Sequence, residues 1–365
     1  MKHHSRSVRS ACESIWNRSS EAVFQVSLFL SVLLVASNAS AISMRHDVAN
    51  VNSTGLDNPY VALAAPFDAV ARLNWTTPLG EFDATGTLVM SATGDFKLLT
   101  AAHNVDSEDD MGGDTPDGII DAASFEIQFG DDVGVDGSSA FASVSVPASS
   151  VLVNPKWTNG DGIGLIPGAS QYDLAVMTFS LSDVVGMLPD PMLVSPFGPT
   201  GLQGTMVGYG TWGTGDAPFE ENAVDGVRRA AHNIIDLVGD PVDNPFNTGI
   251  TVQTDFDSPT GDTSSLGGMT ALALEGTTAG GDSGGPLLAD FGSGLQIVGV
   301  LNGGFNPIGA GVPSEYGDRG IWATISDPMN RDFLVSAGVM LVPEPSSVLL
   351  VTLALAAVAV GRRLN

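Results

Sequence analysis

From Ile42 onward the chain is cut into short apolar segments by Gly, Pro, Asn and Asp, and no long stretch repeats an apolar residue every third or fourth position. Such text cannot build long amphipathic helices, whereas short apolar runs between turn residues suit strands. An all-β sandwich or barrel is the expected class. The chain has 365 residues, 43% of them hydrophobic, enough for one large all-β domain or two smaller lobes. The clearest hairpin is Gly86-Thr87-Leu88-Val89-Met90, a turn over 91–95, and Phe96-Lys97-Leu98-Leu99, which delivers Thr100-Ala101-Ala102-His103. Proline-rich text over 188–199 reads as a connection between lobes.

Charge excludes one class of partner. The net charge is −27, from 14 Lys+Arg against 41 Asp+Glu. Nothing basic is available to track phosphates, so nucleic acid is not a partner. At the N-terminus Lys2, Arg6, Arg9 and Arg18 precede an apolar run over 26–36 and then Ala39-Ser40-Ala41, the pattern of a secretory signal over residues 1–41. The apolar run is short for a membrane span of ~20 residues. Cys12, the only cysteine, falls in this segment, so the exported chain has neither disulfides, thiol catalysis nor cysteine zinc sites.

The chemistry concentrates in Thr277-Thr278-Ala279-Gly280-Gly281-Asp282-Ser283-Gly284-Gly285-Pro286. Ser283 is the candidate nucleophile. Gly280 and Gly281 admit backbone angles closed to other residues and bring N–H groups against a bound carbonyl, while Gly284 and Gly285 leave room for a substrate chain. A plain Gly-Ser surface turn is the alternative, set against the match of the whole hexapeptide from Gly281 to Pro286. His103 at a strand end has a structural reading beside a catalytic one, and Asp173, leading into Leu174-Ala175-Val176-Met177, reads equally as a turn cap. Asp282, if buried, needs a partner: an N-terminal ammonium on Ile42 after signal removal, backbone N–H groups, hydroxyls or an arginine. Between His103 and Asp173 lie Asp106, Glu108, Asp109, Asp110, Asp114, Asp117 and Asp121, off the spacing of an EF-hand. That loop is either simply solvated or a calcium-responsive element; no cofactor is otherwise required.

In the order His103, Asp173, Ser283 the chain resembles the trypsin-like (chymotrypsin-fold) serine proteases over residues 42–341. The resemblance is carried by Leu99-Thr100-Ala101-Ala102-His103, Tyr172-Asp173-Leu174-Ala175 and Gly281-Asp282-Ser283-Gly284-Gly285-Pro286, with echoes in Val207-Gly208-Tyr209-Gly210 and Gly320-Ile321-Trp322-Ala323-Thr324-Ile325. It implies two six-stranded antiparallel β-barrels, lobes over about 42–190 and 191–341, a site in the cleft between them and a short C-terminal helix. It further implies an endopeptidase with triad His103, Asp173 and Ser283, an oxyanion hole from Gly281 and Ser283, and a substrate pocket with Thr277 at its base and Asn302, Gly303 and Gly304 in its wall. Its partners would be protein or peptide substrates. Thr277 makes the pocket base neutral, and the aromatic residue that relatives often carry in the wall is missing.

Two rival chemistries fail on chain order and composition. Gly281-Asp282-Ser283-Gly284-Gly285 also fits the nucleophile elbow of an α/β-hydrolase, but that fold needs its histidine after the serine and none follows Ser283. No H-E-x-x-H is present, and His232 reads as structural. A silent surface or matrix binding protein on the same fold is the remaining alternative. Residues 342–365 form a separate module: Val342-Pro343-Glu344-Pro345, an apolar run over 348–360 and Gly361-Arg362-Arg363. This resembles the PEP-CTERM sorting signal of bacteria, which implies a transient inner-membrane anchor through the apolar helix, a processing protease as partner, and a final place outside the cell or on its surface.

Overall fold

The strand-forming text organises into two large antiparallel sheets in the computed structural model, which describes residues 42–77, 80–105, 123–157, 170–218, 224–239, 250–267, 271–305, 307 and 314–343. All of them belong to one unit of the chain, Ser40–Asn365. The signal segment 1–41, the acidic loop 106–121 and the sorting segment from 344 onward lie outside the described residues.

The first sheet runs, in spatial order, Val151–Val153, Ala175–Phe179, Phe96–Thr100, Gly80–Val89, Val70–Thr77, Ser124–Phe129, Ala142–Pro147 and Val184–Gly186. In Ser124–Phe129 the side chains of Phe125, Ile127 and Phe129 are fully buried and alternate with half-buried Ser124, Glu126 and Gln128. That period of two makes it a strand with one face inward. The inward face packs on Leu73, Leu88, Leu98, Val144 and Met177, each such burial contributing roughly 1.5–3 kcal/mol. The expected hairpin forms, with Thr87 opposite Leu99, Leu88 opposite Leu98 and Val89 opposite Lys97.

The second sheet runs Arg229–Ile234, Gln203–Gly208, Pro286–Asp290, Leu295–Phe305, Arg319–Thr324, Thr251–Asp255 and Leu237–Gly239. Its inner strands Thr251–Asp255 and Arg319–Thr324 are buried along their whole length, because both faces are covered. Met206, Val252, Leu287, Val298 and Trp322 fill its core. A further cluster joins the sheets: Val70, Leu99 and Val176 of the first meet Val207, Leu288 and Val300 of the second, together with Phe333 and Leu334. Those last two come from the short helix Pro328–Ser336, started by Asp327, whose side chain accepts from the N–H groups of Met329 and Asn330.

The count of six strands per lobe needs correction, since among the described residues the sheets have eight and seven. The additions are three-residue strands at sheet edges, Val151–Val153, Val184–Gly186 and Leu237–Gly239; without them each sheet counts six. Loop segments dock there because an open edge offers unpaired backbone groups, and three residues are too few to show a period. A third, small sheet places Ser43–Met44 between Gly213–Thr214 and Gly276–Thr277. Among the described residues no helix is long and apolar enough to cross a membrane.

Candidate active site

The strand Phe96–Thr100 pairs with Ala175–Phe179 so that Thr100 faces Ala175. Residues leaving the first strand therefore meet residues entering the second. Ala101 and Ala102 are fully buried, and only side chains that small let the chain turn this tightly against the sheet. One 3-10 turn, Ala102–Asn104, then presents His103. Asp173 is fully buried. Its Oδ1 accepts the backbone N–H of His103 at 2.9 Å, and its Oδ2 accepts ring Nδ1 at 2.6 Å. This two-point hold sets the ring's orientation and places its proton on Nδ1, leaving the lone pair on Nε2. Asn302 completes the shell, donating from Nδ2 to the same Oδ2 at 2.6 Å. Three donors thus compensate a charge that burial would otherwise penalise heavily.

The loop bearing Ser283 leaves the short strand Gly276–Thr277 and enters Pro286–Asp290. Gly281 has φ of 87°, in the left-handed region that favours glycine. The carbonyl of Gly280 accepts from Thr211 N at 3.3 Å, and that of Asp282 from Gly285 N at 2.7 Å. A trans peptide points its N–H opposite to its C=O. Anchoring these two carbonyls therefore fixes the directions of the Gly281 and Ser283 N–H groups.

Asp282 is 1% exposed. Its Oδ1 accepts Gly210 N and its Oδ2 accepts Ala279 N, both at 3.1 Å. Burial pushes its carboxyl up to about 7, against the pull of those two N–H groups and of the Arg229 charge. Of the partners anticipated for it, backbone N–H groups are present as hydrogen bonds. Ile42 is fully buried, and the two residues after it pair with Gly213–Thr214 and Gly276–Thr277 on the approaches to the nucleophile loop.

Thr277 is 1% exposed and lies opposite Ser43. Gly303 faces open space, whereas a Cβ on Gly304 would meet the Arg319 carbonyl at 2.7 Å. Asn302, read as part of the pocket wall, turns its amide to Asp173. Sequence reasoning also missed Thr85 and Asn104, which reach the nucleophile loop from the opposite sheet; the one hint was that Asn104 follows His103 directly. His232 is half-buried with Nδ1 3.0 Å from Thr205 Oγ1, and burial lowers its pKa. His46 sits 2.8 Å from the Tyr316 hydroxyl. Among the described residues no group of three or more His, Cys, Asp or Glu is arranged to hold a metal ion.

No family model and no curated protein matches this chain. Solved structures do. At 15% identity and a TM-score of 0.49 the chain is similar to a thermostable serine protease, AL20, from an extremophilic microorganism, with 75% of this chain and 98% of that one covered. It is similar to the protease Anisep from Arthrobacter nicotinovorans at 16% identity and a TM-score of 0.45, covering 74% and 95%. A Glu endopeptidase matches at 18% identity and a TM-score of 0.44, covering 82% and 97%.

Proposed function

We propose that this chain is an exported serine endopeptidase that cleaves peptide bonds through an acyl-enzyme. The observation that carries the reading is the pair of hydrogen bonds from His103 to Asp173, at ring and backbone, with Ser283 on a glycine turn whose carbonyls are anchored on both sides. In the first half-reaction Ser283 Oγ attacks the scissile carbonyl carbon and His103 Nε2 takes the hydroxyl proton. Asp173 holds the imidazole tautomer and stabilises the imidazolium. The N–H groups of Gly281 and Ser283 receive the oxyanion. Collapse breaks the C–N bond, and the amine leaves with the proton from His103. Water then attacks the acyl carbon, gives a proton to His103, and Ser283 regains its own as the acid departs. Thr277 forms the neutral base of the substrate pocket, with Asn302, Gly303 and Gly304 in its wall.

Residues 1–41 and 342–365 assign the enzyme to the cell exterior or surface, by way of a signal peptide and a transient anchor removed by a sorting protease. Labelling with a fluorophosphonate tests the catalytic reading, because one label per chain requires an activated serine whatever the substrate. Label on the wild-type chain and none on Ser283→Ala is the expected result. A properly folded chain beginning at Ile42 that takes no label overturns the endopeptidase reading and leaves that of a binding protein on a protease-like fold.

A further inference from the structure

Three side chains from the sheet that carries His103 reach across to the Ser283 loop of the other sheet. Thr85 and Thr100 are fully buried and Asn104 is 4% exposed. Asn104 Nδ2 donates to the Ser283 carbonyl at 2.9 Å and to Thr100 Oγ1 at 3.0 Å. A carbonyl only accepts, which assigns the nitrogen to that side of the amide. Thr100 Oγ1 donates in turn to the Thr85 carbonyl at 2.8 Å. Thr85 Oγ1 donates to the Gly281 carbonyl at 2.9 Å and accepts Tyr209 N at 3.2 Å, while Thr85 N donates to the Ser283 carbonyl at 2.9 Å. The set presses so close that a Cβ on Gly284, where φ is 82°, would lie 2.1 Å from Thr100 Oγ1, 2.3 Å from the Thr85 carbonyl and 2.7 Å from Asn104 Nδ2.

We propose that Asn104 and Thr85 are positioning residues for the nucleophile. A loop with glycine at 280, 281, 284 and 285 has many accessible backbone states. The carbonyls of Gly281 and Ser283 bracket the peptide that carries the Ser283 N–H, so holding both selects one of those states. Asn104 also follows His103 without a gap. The segment Ala102–Asn104 therefore carries both the base and a grip on the nucleophile's own carbonyl, a grip it shares with the Thr85 N–H. This inference rests on the serine-hydrolase reading and adds to it a device that substrate does not touch.

The test is the time course of fluorophosphonate labelling, with melting curves, for the full chain and for Asn104→Ala, Thr85→Val and Thr85→Ser. A positioning role lowers the labelling rate constant roughly three- to tenfold per lost hydrogen bond, at full final stoichiometry. It lowers kcat more than KM in peptide hydrolysis. Thr85→Ser, which keeps the hydroxyl, recovers most of what Thr85→Val loses, and Asn104→Ser replaces the alanine variant if that one does not fold. Wild-type rate constants in Asn104→Ala and Thr85→Val overturn the inference. So does a loss confined to the labelled fraction that tracks unfolding, and both results leave the hydrolase reading standing. Failure of the wild-type chain to label overturns that reading and the inference together.

Discussion

Replacing Asn302 separates a pocket-wall role from a role behind Asp173. Its amide gives a 2.6 Å hydrogen bond to the Oδ2 that also accepts the His103 ring, on a carboxylate with no exposed surface. Hydrogen bonds to charged groups contribute about 1.5–3 kcal/mol. If Asn302→Ala loses that in the transition state, where the imidazolium leans on Asp173, kcat falls roughly ten- to hundredfold. Water entering beside half-buried Asn302 would bring the loss toward the lower figure. Asn302→Asp is harsher on the fold: two carboxylates about 4 Å apart repel by ~4 kcal/mol at an effective dielectric constant of about 20, so its melting temperature should fall below that of Asn302→Ala. Asn302→Ser keeps a donor and should lose less kcat than the alanine variant. The assay is steady-state hydrolysis of a casein-type substrate from pH 5 to 9, with melting curves at each pH. Wild-type kcat in Asn302→Ala, or equal melting temperatures for the alanine and aspartate variants, would refute the reasoning and leave Asn302 with the pocket wall alone.

Ser283→Ala, His103→Ala and Asp173→Asn should each abolish most casein hydrolysis with little change in melting temperature. Double variants should be no worse than the poorest single one, since the three act as a unit. Asp282 titrates near 7 because burial disfavours its charge, so by itself it removes stability as pH rises from about 4 through 7; an ammonium on a chain beginning at Ile42 would favour the charged form and reverse that slope. Comparing activity and pH-dependent melting of that chain with one carrying a single extra N-terminal residue decides the matter, and equal behaviour of the two dismisses the ammonium. The acidic loop over 106–121 should raise the melting temperature in millimolar calcium and lower it with chelator, and a melt indifferent to both leaves a solvated loop.

What the sequence determined by itself was local. The glycines around Ser283 announce a turn that needs positive φ, the two alanines before His103 announce a tight exit from a strand, and the alternation over Ser124–Phe129 announces a half-buried strand. Each is legible because its cause lies within a few residues of its effect. The tertiary structure decided what lies between distant segments. Asn302 meets Asp173 across 129 residues, Asn104 meets Ser283 across 179, and Thr85 meets Gly281 across 196. A single amide or hydroxyl that finds its acceptor so far along the chain has no period and no turn chemistry to announce it. The extra edge strands stayed hidden for a related reason: their hydrogen bonds belong to the open edge they dock on, and three residues of their own text do not specify it.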